Sequence, residues 1–228
     1  MGLLLFDADQ GTLSVAPQRL VVAGWTGRDR AAIEHHIEEL ALLGVPRPSA
    51  VPLYYRLAPQ LLTQAGAIQV IGDRSSGEVE PVLLRIGGQW WLTVGSDHTD
   101  RRLETVSVAA SKQVCAKPVA GQAWRWDAVE PRADSLLLES WIDEDGAWQP
   151  YQSGTLASIR PLRQLIDGVS DVDADLPLVL FCGTLAVRPN AAGVGIRPAP
   201  RFAMALSDPQ GGRSVRHEYE VTALPVVA

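Results

Sequence analysis

The 228-residue chain is 46% hydrophobic and 20% charged, a balance that allows one substantial core and excludes intrinsic disorder. Its net charge of −6 and pI near 5.2, with no basic cluster interleaved with aromatics, argue against nucleic acid or an anionic membrane surface as partner. No apolar run approaches the roughly 20 residues that a bilayer span needs.

Taken in chain order, the first 24 residues alternate strand-like stretches with turn signals: Leu3 to Phe6, Asp9-Gln10-Gly11, Thr12 to Val15, then Arg19 to Ala23. They read as a small β meander. The opening Met1-Gly2-Leu3-Leu4-Leu5-Phe6 lacks a positive n-region and runs into Asp7 and Asp9, so it reads as a strand and not a signal peptide, and a cytoplasmic setting is expected. From Arg28 to about Leu43 the period becomes helical, with Asp29 near the start and Gly44 closing it before Pro46 and Pro48. Val51 to Leu57 is extended and Pro59 to Gln64 a turn or short helix.

The remainder reads mostly as strands. Ile68 to Ile71, Val79 to Ile86 and Gln89 to Val94 are expected, the last two joined by a Gly87-Gly88 hairpin turn. Ser135 to Ile142 is followed by a turn into Ala147 to Pro150, and Ala157 to Val169 is expected as a helix. Leu178 to Cys182 is a buried strand, and Arg201 to Leu206 and Ser214 to Ala223 flank an Asp208-Pro209-Gln210-Gly211-Gly212 turn. The class that follows is α+β, with a mainly antiparallel or mixed sheet system. Cys115 and Cys182 are too few for a zinc site or a disulfide framework and are expected as buried free thiols.

Chemistry concentrates in Glu78-Val79-Glu80, the Gly95-Ser96-Asp97-His98-Thr99-Asp100-Arg101 segment and Ser111-Lys112. Residues two apart on a strand project from one face, so Glu78 and Glu80 converge, with Asp97 able to join from a neighbouring strand end. Three such carboxylates repel unless a cation sits among them, and an all-oxygen set suits a hard ion such as Mg2+ or Mn2+, with Ca2+ able to take the same ligands. A half-exposed strand with Val79 in the core gives the same Glu-Val-Glu pattern. On the helix, Ile33, His36, Ile37, Leu40 and Leu43 share a broad face with Glu39 at its margin, while His35 points to solvent. His36 and Glu39 are three apart, so the carboxylate can hold the imidazole in one tautomer, as a general base requires; a boundary histidine satisfied by its neighbour has the same spacing.

The order His36-x-x-Glu39, Tyr54-Tyr55-Arg56-Leu57-Ala58-Pro59, Glu78-x-Glu80, Ser96-Asp97 with Arg101, Ser111-Lys112 and Cys182-Gly183-Thr184 resembles the fumarylacetoacetate hydrolase superfamily, as a divergent branch. The resemblance runs from about residue 20 to the end and rests on the shared order, no single motif being diagnostic. It implies a mixed β-roll catalytic domain over residues 66–228, with the meander and a lid helix in residues 1–65 packed on it, and a homodimer. It also implies Glu78, Glu80 and Asp97 as metal ligands, Lys112 and Arg101 on substrate oxygens, and His36 with Glu39 activating water. Gly183 and Thr184 would meet the substrate carboxylate, and Arg56 stands where the family has a substrate-binding Lys. Departures fall around the pocket: the spacer from Glu80 to Asp97 is short, Asp100, Arg102 and Glu104 replace the usual Ala, Asp and Gln, Gln113-Val114 follows Lys112, and the loop after Thr184 is extended.

The implied reaction is metal-dependent hydrolysis of a carbon–carbon bond in an acylpyruvate-like 2-oxo acid. Decarboxylation, hydration or tautomerisation on the same site is the alternative, and a non-catalytic dimeric small-acid binder is the reading from another class. A serine hydrolase is disfavoured because Ser111 has no glycine elbow.

Overall fold

The computed structural model describes residues 2–42, 47–169 and 175–227. Two sheets organise it. The larger has six strands in the order Trp124–Arg125, Gln89–Ser96, Val79–Ile86, Leu178–Phe181, Arg19–Gly24 and Leu53–Leu57; the other has five, in the order Ala147–Thr155, Leu137–Glu144, Arg201–Asp208, Arg213–Leu224 and Ala67–Ile71. Alternation along the strands decides which side chain goes where. Val79, Leu83, Leu178, Leu180 and Cys182 meet Leu138, Met204, Leu206 and Tyr219 in one core, while Val82, Leu84, Val179 and Phe181 join Leu4, Phe6 and Val15 in a second. The six-stranded sheet is therefore buried on both faces, which is why Leu178-Val179-Leu180-Phe181 is apolar without alternation.

The same argument changes the expected N-terminal meander. Leu4–Ala8 and Gly11–Val15 form a hairpin, but Arg19–Gly24 leaves it to run parallel to Leu178–Phe181 and antiparallel to Leu53–Leu57. Leu20, Val21, Val22 and Ala23 are each 1% exposed, and only an interior strand can bury consecutive residues on both faces. Residue 65 is thus no boundary between sheets: Leu53–Leu57 lies in one with Val79–Ile86, and Ala67–Ile71 pairs with Arg213–Leu224 in the other.

The first helix spans Arg30–Leu42. Asp29 Oδ1 accepts from the N–H groups of Ala31 and Ala32 at 2.9 and 3.1 Å, as an N-cap does. Ile33 and Ile37 are buried and His35 is exposed, in agreement with the helical wheel. The expected closing residue Gly44 lies outside the described residues. The helix expected over Ala157 to Val169 is interrupted: a single turn at Leu156–Ser158 is followed by Leu162–Gly168, because Pro161 has no N–H and disfavours helical backbone before it. The Gly87-Gly88 turn is as expected, with φ of 54° and 77° at its two residues, the geometry of a two-residue hairpin turn that glycine adopts freely.

The hairpin between Arg201–Asp208 and Arg213–Leu224 is anchored by Asp208, whose carboxylate accepts from Arg132 Nη2 at 2.7 Å and from Gly211 N at 2.9 Å. The Arg132 hydrogen bonds hold the Asp208 carboxyl at about 2. Because this value lies below the unfolded one of 3.8, Asp208 stabilises the fold above that pH, and the contribution is lost as pH falls from 3.8 towards 2. Asp208→Asn is expected to lower stability at pH 7 and to flatten the acid limb in that window, measured by urea unfolding across pH. An acid limb unchanged by the substitution would sink this assignment.

Candidate active site

The hairpin Val79–Ile86 with Gln89–Ser96 sets the site at one end of the six-stranded sheet. Val79 pairs with Ser96, so the next residues out, Glu78 and Asp97, are brought together, and Asp97 N donates to Glu78 O at 2.9 Å. Val79 turns into the core between the sheets, which sends Glu78 and Glu80 to the opposite face. One carboxylate oxygen from each of Glu78, Glu80 and Asp97 falls within 4.8 Å of the others. Glu80 and Asp97 are 2% and 0% exposed.

Burial on this scale makes the carboxylates unequal. Burial, then the nearby Asp97, pushes the Glu80 carboxyl well above the usual range, against Lys112 and the Gly183 N–H, which donates to Glu80 Oε2 at 2.7 Å. For Asp97, burial acts upward but Lys112 and Lys117 outweigh it and pull the carboxyl down to about 2. Two acids in contact whose protonation preferences are driven apart are characteristic of sites built for a further cation or for proton transfer.

The residues fit a hard divalent ion. Asp97 Oδ1 is buried and accepts no hydrogen bond from the described residues, although Lys117 Nζ stands 3.2 Å away. It therefore presents an unused lone pair within a cluster of oxygen donors, the donor type that Mg2+, Mn2+ and Ca2+ prefer.

Three cations surround the triad. Lys112 lies in the Val108–Gln113 helix, which is capped by the Ser107 hydroxyl, and it pairs with Asp97. Burial lowers its pKa, but Asp97 and Glu78 raise it by more, so Lys112 stays charged. Arg101 Nε donates to Ser76 Oγ at 2.7 Å, and its terminal nitrogens lie 3.2 Å from Glu78 and 3.0 Å from Glu104. Lys117 is fully buried behind Asp97, donating to the carbonyls of His98 and Lys112, each at 2.6 Å, and of Cys115 at 3.2 Å. Beyond it His98 bridges Tyr219 and Ser75 at 3.0 and 2.9 Å, and burial first, then Lys117, pushes the imidazole down to about 3, so it stays neutral. Sequence reasoning names His98 only as part of its segment and misses Lys117 and Tyr219, since nothing in a Lys-Pro pair or an isolated Tyr marks its side chain as buried beside the triad.

A cavity of about 760 Å³ opens on Glu78, Glu80, Arg101 and Lys112, with Gly183 and Thr184 in its wall. Gly183 has φ of 94°, and a Cβ there would collide with the Thr26 side chain, so only glycine brings this backbone N–H to Glu80. Thr184 Oγ1 is engaged on both sides, donating to Val79 O at 2.8 Å and accepting from Gln152 at 2.7 Å. The Arg30–Leu42 helix borders the cavity through Ala32 and Ile33; the side chains of His36 and Glu39 lie outside the described residues. Arg56 is exposed and does not line the cavity, whereas its neighbour Tyr55 does, because successive residues of a strand face opposite ways.

No curated protein sequence matches the chain. Solved structures do. A protein from Burkholderia cenocepacia assigned as a fumarylpyruvate hydrolase is 18% identical, with a TM-score of 0.62 over 99% of this chain and 97% of that one. A 2-keto-3-deoxy-D-arabinonate dehydratase complexed with magnesium and 2,5-dioxopentanoate is 13% identical, with a TM-score of 0.64 over 95% and 78%. A 5-carboxymethyl-2-hydroxymuconate delta-isomerase from Mycobacterium smegmatis is 12% identical, with a TM-score of 0.60 over 98% and 100%. At these identities the likeness shows the fold, which is that of the fumarylacetoacetate hydrolase superfamily, as the order of motifs implied. Residues 23–219 match the family described as a protein of unknown function, DUF2848, and the chain belongs to that family.

Proposed function

We propose that the protein is a divalent-metal-dependent enzyme that hydrolyses a carbon–carbon bond in an acylpyruvate-like 2-oxo acid. The observation that carries this reading is the convergence of Glu78, Glu80 and Asp97 within 4.8 Å of one another, beside a cavity lined by Lys112 and Arg101. Glu78, Glu80 and Asp97 would hold Mg2+ or Mn2+, which would supply Lewis-acid polarisation of the 2-oxo acid oxygens. Lys112 and Arg101 balance the negative charge that develops on the substrate as the bond breaks. The Gly183 N–H keeps the Glu80 carboxylate in place. His36, oriented by Glu39, takes a proton from water as the water oxygen bonds to the distal carbonyl carbon. The bond from that carbon to the methylene then breaks and the methylene carbon takes up a proton, leaving a carboxylic acid and pyruvate.

A second reading, loss of carbon dioxide or water from a 2-oxo acid on the same residues, draws support from the magnesium-bound dehydratase of like fold. His36 separates the two. Under hydrolysis, His36→Ala is expected to lower kcat by about 10²-fold or more with ion affinity unchanged, the usual contribution of a positioned base. Full activity in that variant favours the second reading. The primary test is a panel of 2-oxo acids assayed with added Mg2+ or Mn2+ and again with chelator. Ion-dependent consumption of an acylpyruvate is expected, and no ion-dependent turnover across the panel would remove the proposal.

A further inference from the structure

Three described cations line the cavity, Arg28, Arg101 and Lys112, and each already faces a carboxylate. Arg28 is closed by Asp134, whose two oxygens take Nη1 and Nη2 at 2.7 Å each, while its Nε donates to Ile159 O at 2.9 Å. Arg101 lies between Glu104 and Glu78, and Lys112 lies against Asp97. These last two stand at the carboxylate triad, where the head of a 2-oxo acid would be held. The remaining wall differs in character. Its further charged group among the described residues, Asp29, is acidic, Thr26, Thr105 and Ser158 add neutral hydroxyls, and Trp25, Ala32, Ile33, Val108 and Ile196 supply hydrocarbon.

A ligand with one carboxylate therefore places it among cations and its remainder against apolar surface, which is favourable in proportion to the apolar area removed from water. A second carboxylate held away from the triad would lose its water against hydrocarbon, neutral hydroxyls and the like charge of Asp29, with no uncommitted cation among the described residues. Such desolvation costs more than the contacts return. We propose that the ligand is a 2-oxo acid with a single carboxylate and, beyond its distal carbonyl, an uncharged, apolar remainder, and that the cavity discriminates against 2-oxo dicarboxylates. The inference rests on the 2-oxo acid reading above and narrows it.

Calorimetric titration of the Mn2+-loaded chain with 2-oxohexanoate and 2-oxoadipate tests it, since the two share six carbons and a head group and differ by the terminal carboxylate. 2-Oxohexanoate is expected to bind roughly tenfold tighter or more. Ala32 is an exposed helical position in the wall, and Ala32→Arg exchanges one good helix former for another while adding a cation. It is expected to shift the ratio of affinities towards 2-oxoadipate by roughly tenfold. Equal or tighter binding of 2-oxoadipate by the unaltered chain overturns the proposal and leaves the 2-oxo acid reading standing. An unshifted ratio in Ala32→Arg shows that the missing cation is not the cause, and also overturns it. Binding of neither acid by the ion-loaded protein removes the 2-oxo acid reading and this inference with it.

Discussion

Glu80→Ala is expected to reduce Mn2+ affinity by about 10²-fold or more, since loss of a ligand exceeds the 10- to 100-fold cost of losing a ligand's supporting partner. Glu80 is 2% exposed, accepts from the Gly183 N–H at 2.7 Å and shares its face with Glu78, so its carboxylate is held at the cluster and its loss removes one of the three carboxylates grouped there. The ion-free variant is not expected to collapse, because the substitution also removes a buried carboxylate crowded by Asp97. Thermal unfolding distinguishes these effects. Mn2+ at 100 times its Kd stabilises a native-state site by about 2.7 kcal/mol, which for a domain of this size raises the midpoint by roughly 5–10 °C. The unaltered chain should show that rise and Glu80→Ala should not. A variant that keeps the full Mn2+ shift would mean that Glu80 is not a ligand.

How much of this was legible in the sequence follows the range of the interactions involved. Glu78 and Glu80 could be read because the two-residue period of a strand is a local property, and Val79 between them does enter the core. The Gly87-Gly88 turn fixed Asp97 opposite Glu78 by the same local rule. Arg101 and Lys112 were located only through the order of motifs, since the short helices that carry them, Arg101–Glu104 and Val108–Gln113, are too brief to show a period. The tendency of sequence neighbours to pair puts Arg19–Gly24 in a meander, whereas its register partners in Leu178–Phe181 lie 159 residues away. The order of motifs puts Arg56 at the site, but the strand turns Tyr55 towards the cavity instead. Lys117 had no signal at all, because its role is defined by four oxygens on a neighbouring loop and helix end.

That buried amine carries the largest stability effect expected outside the hydrophobic cores. Lys117→Met keeps the length and apolar stem of the side chain but removes the charge, leaving the carbonyls of His98, Lys112 and Cys115 without their donor and Asp97 Oδ1 without the cation 3.2 Å away. Breaking a buried ion pair from one side costs about 3–5 kcal/mol, since the remaining charge and acceptors cannot recover water. With midpoint changes of about 2–4 °C per kcal/mol for a chain of this size, a fall on the order of 10 °C is expected. The exposed pair of Arg163 with Glu130, although it is made at 2.5 Å, provides the contrast: Arg163→Ala should cost about 0–1 kcal/mol, because both side chains are solvated in either state. Lys112 still faces Asp97 in the Lys117→Met chain, so folding itself should survive and the comparison can be made by urea unfolding of both variants. If Lys117→Met costs no more than Arg163→Ala, then the amine is reached by water and does not hold the Asp97 loop to the helix that carries Lys112.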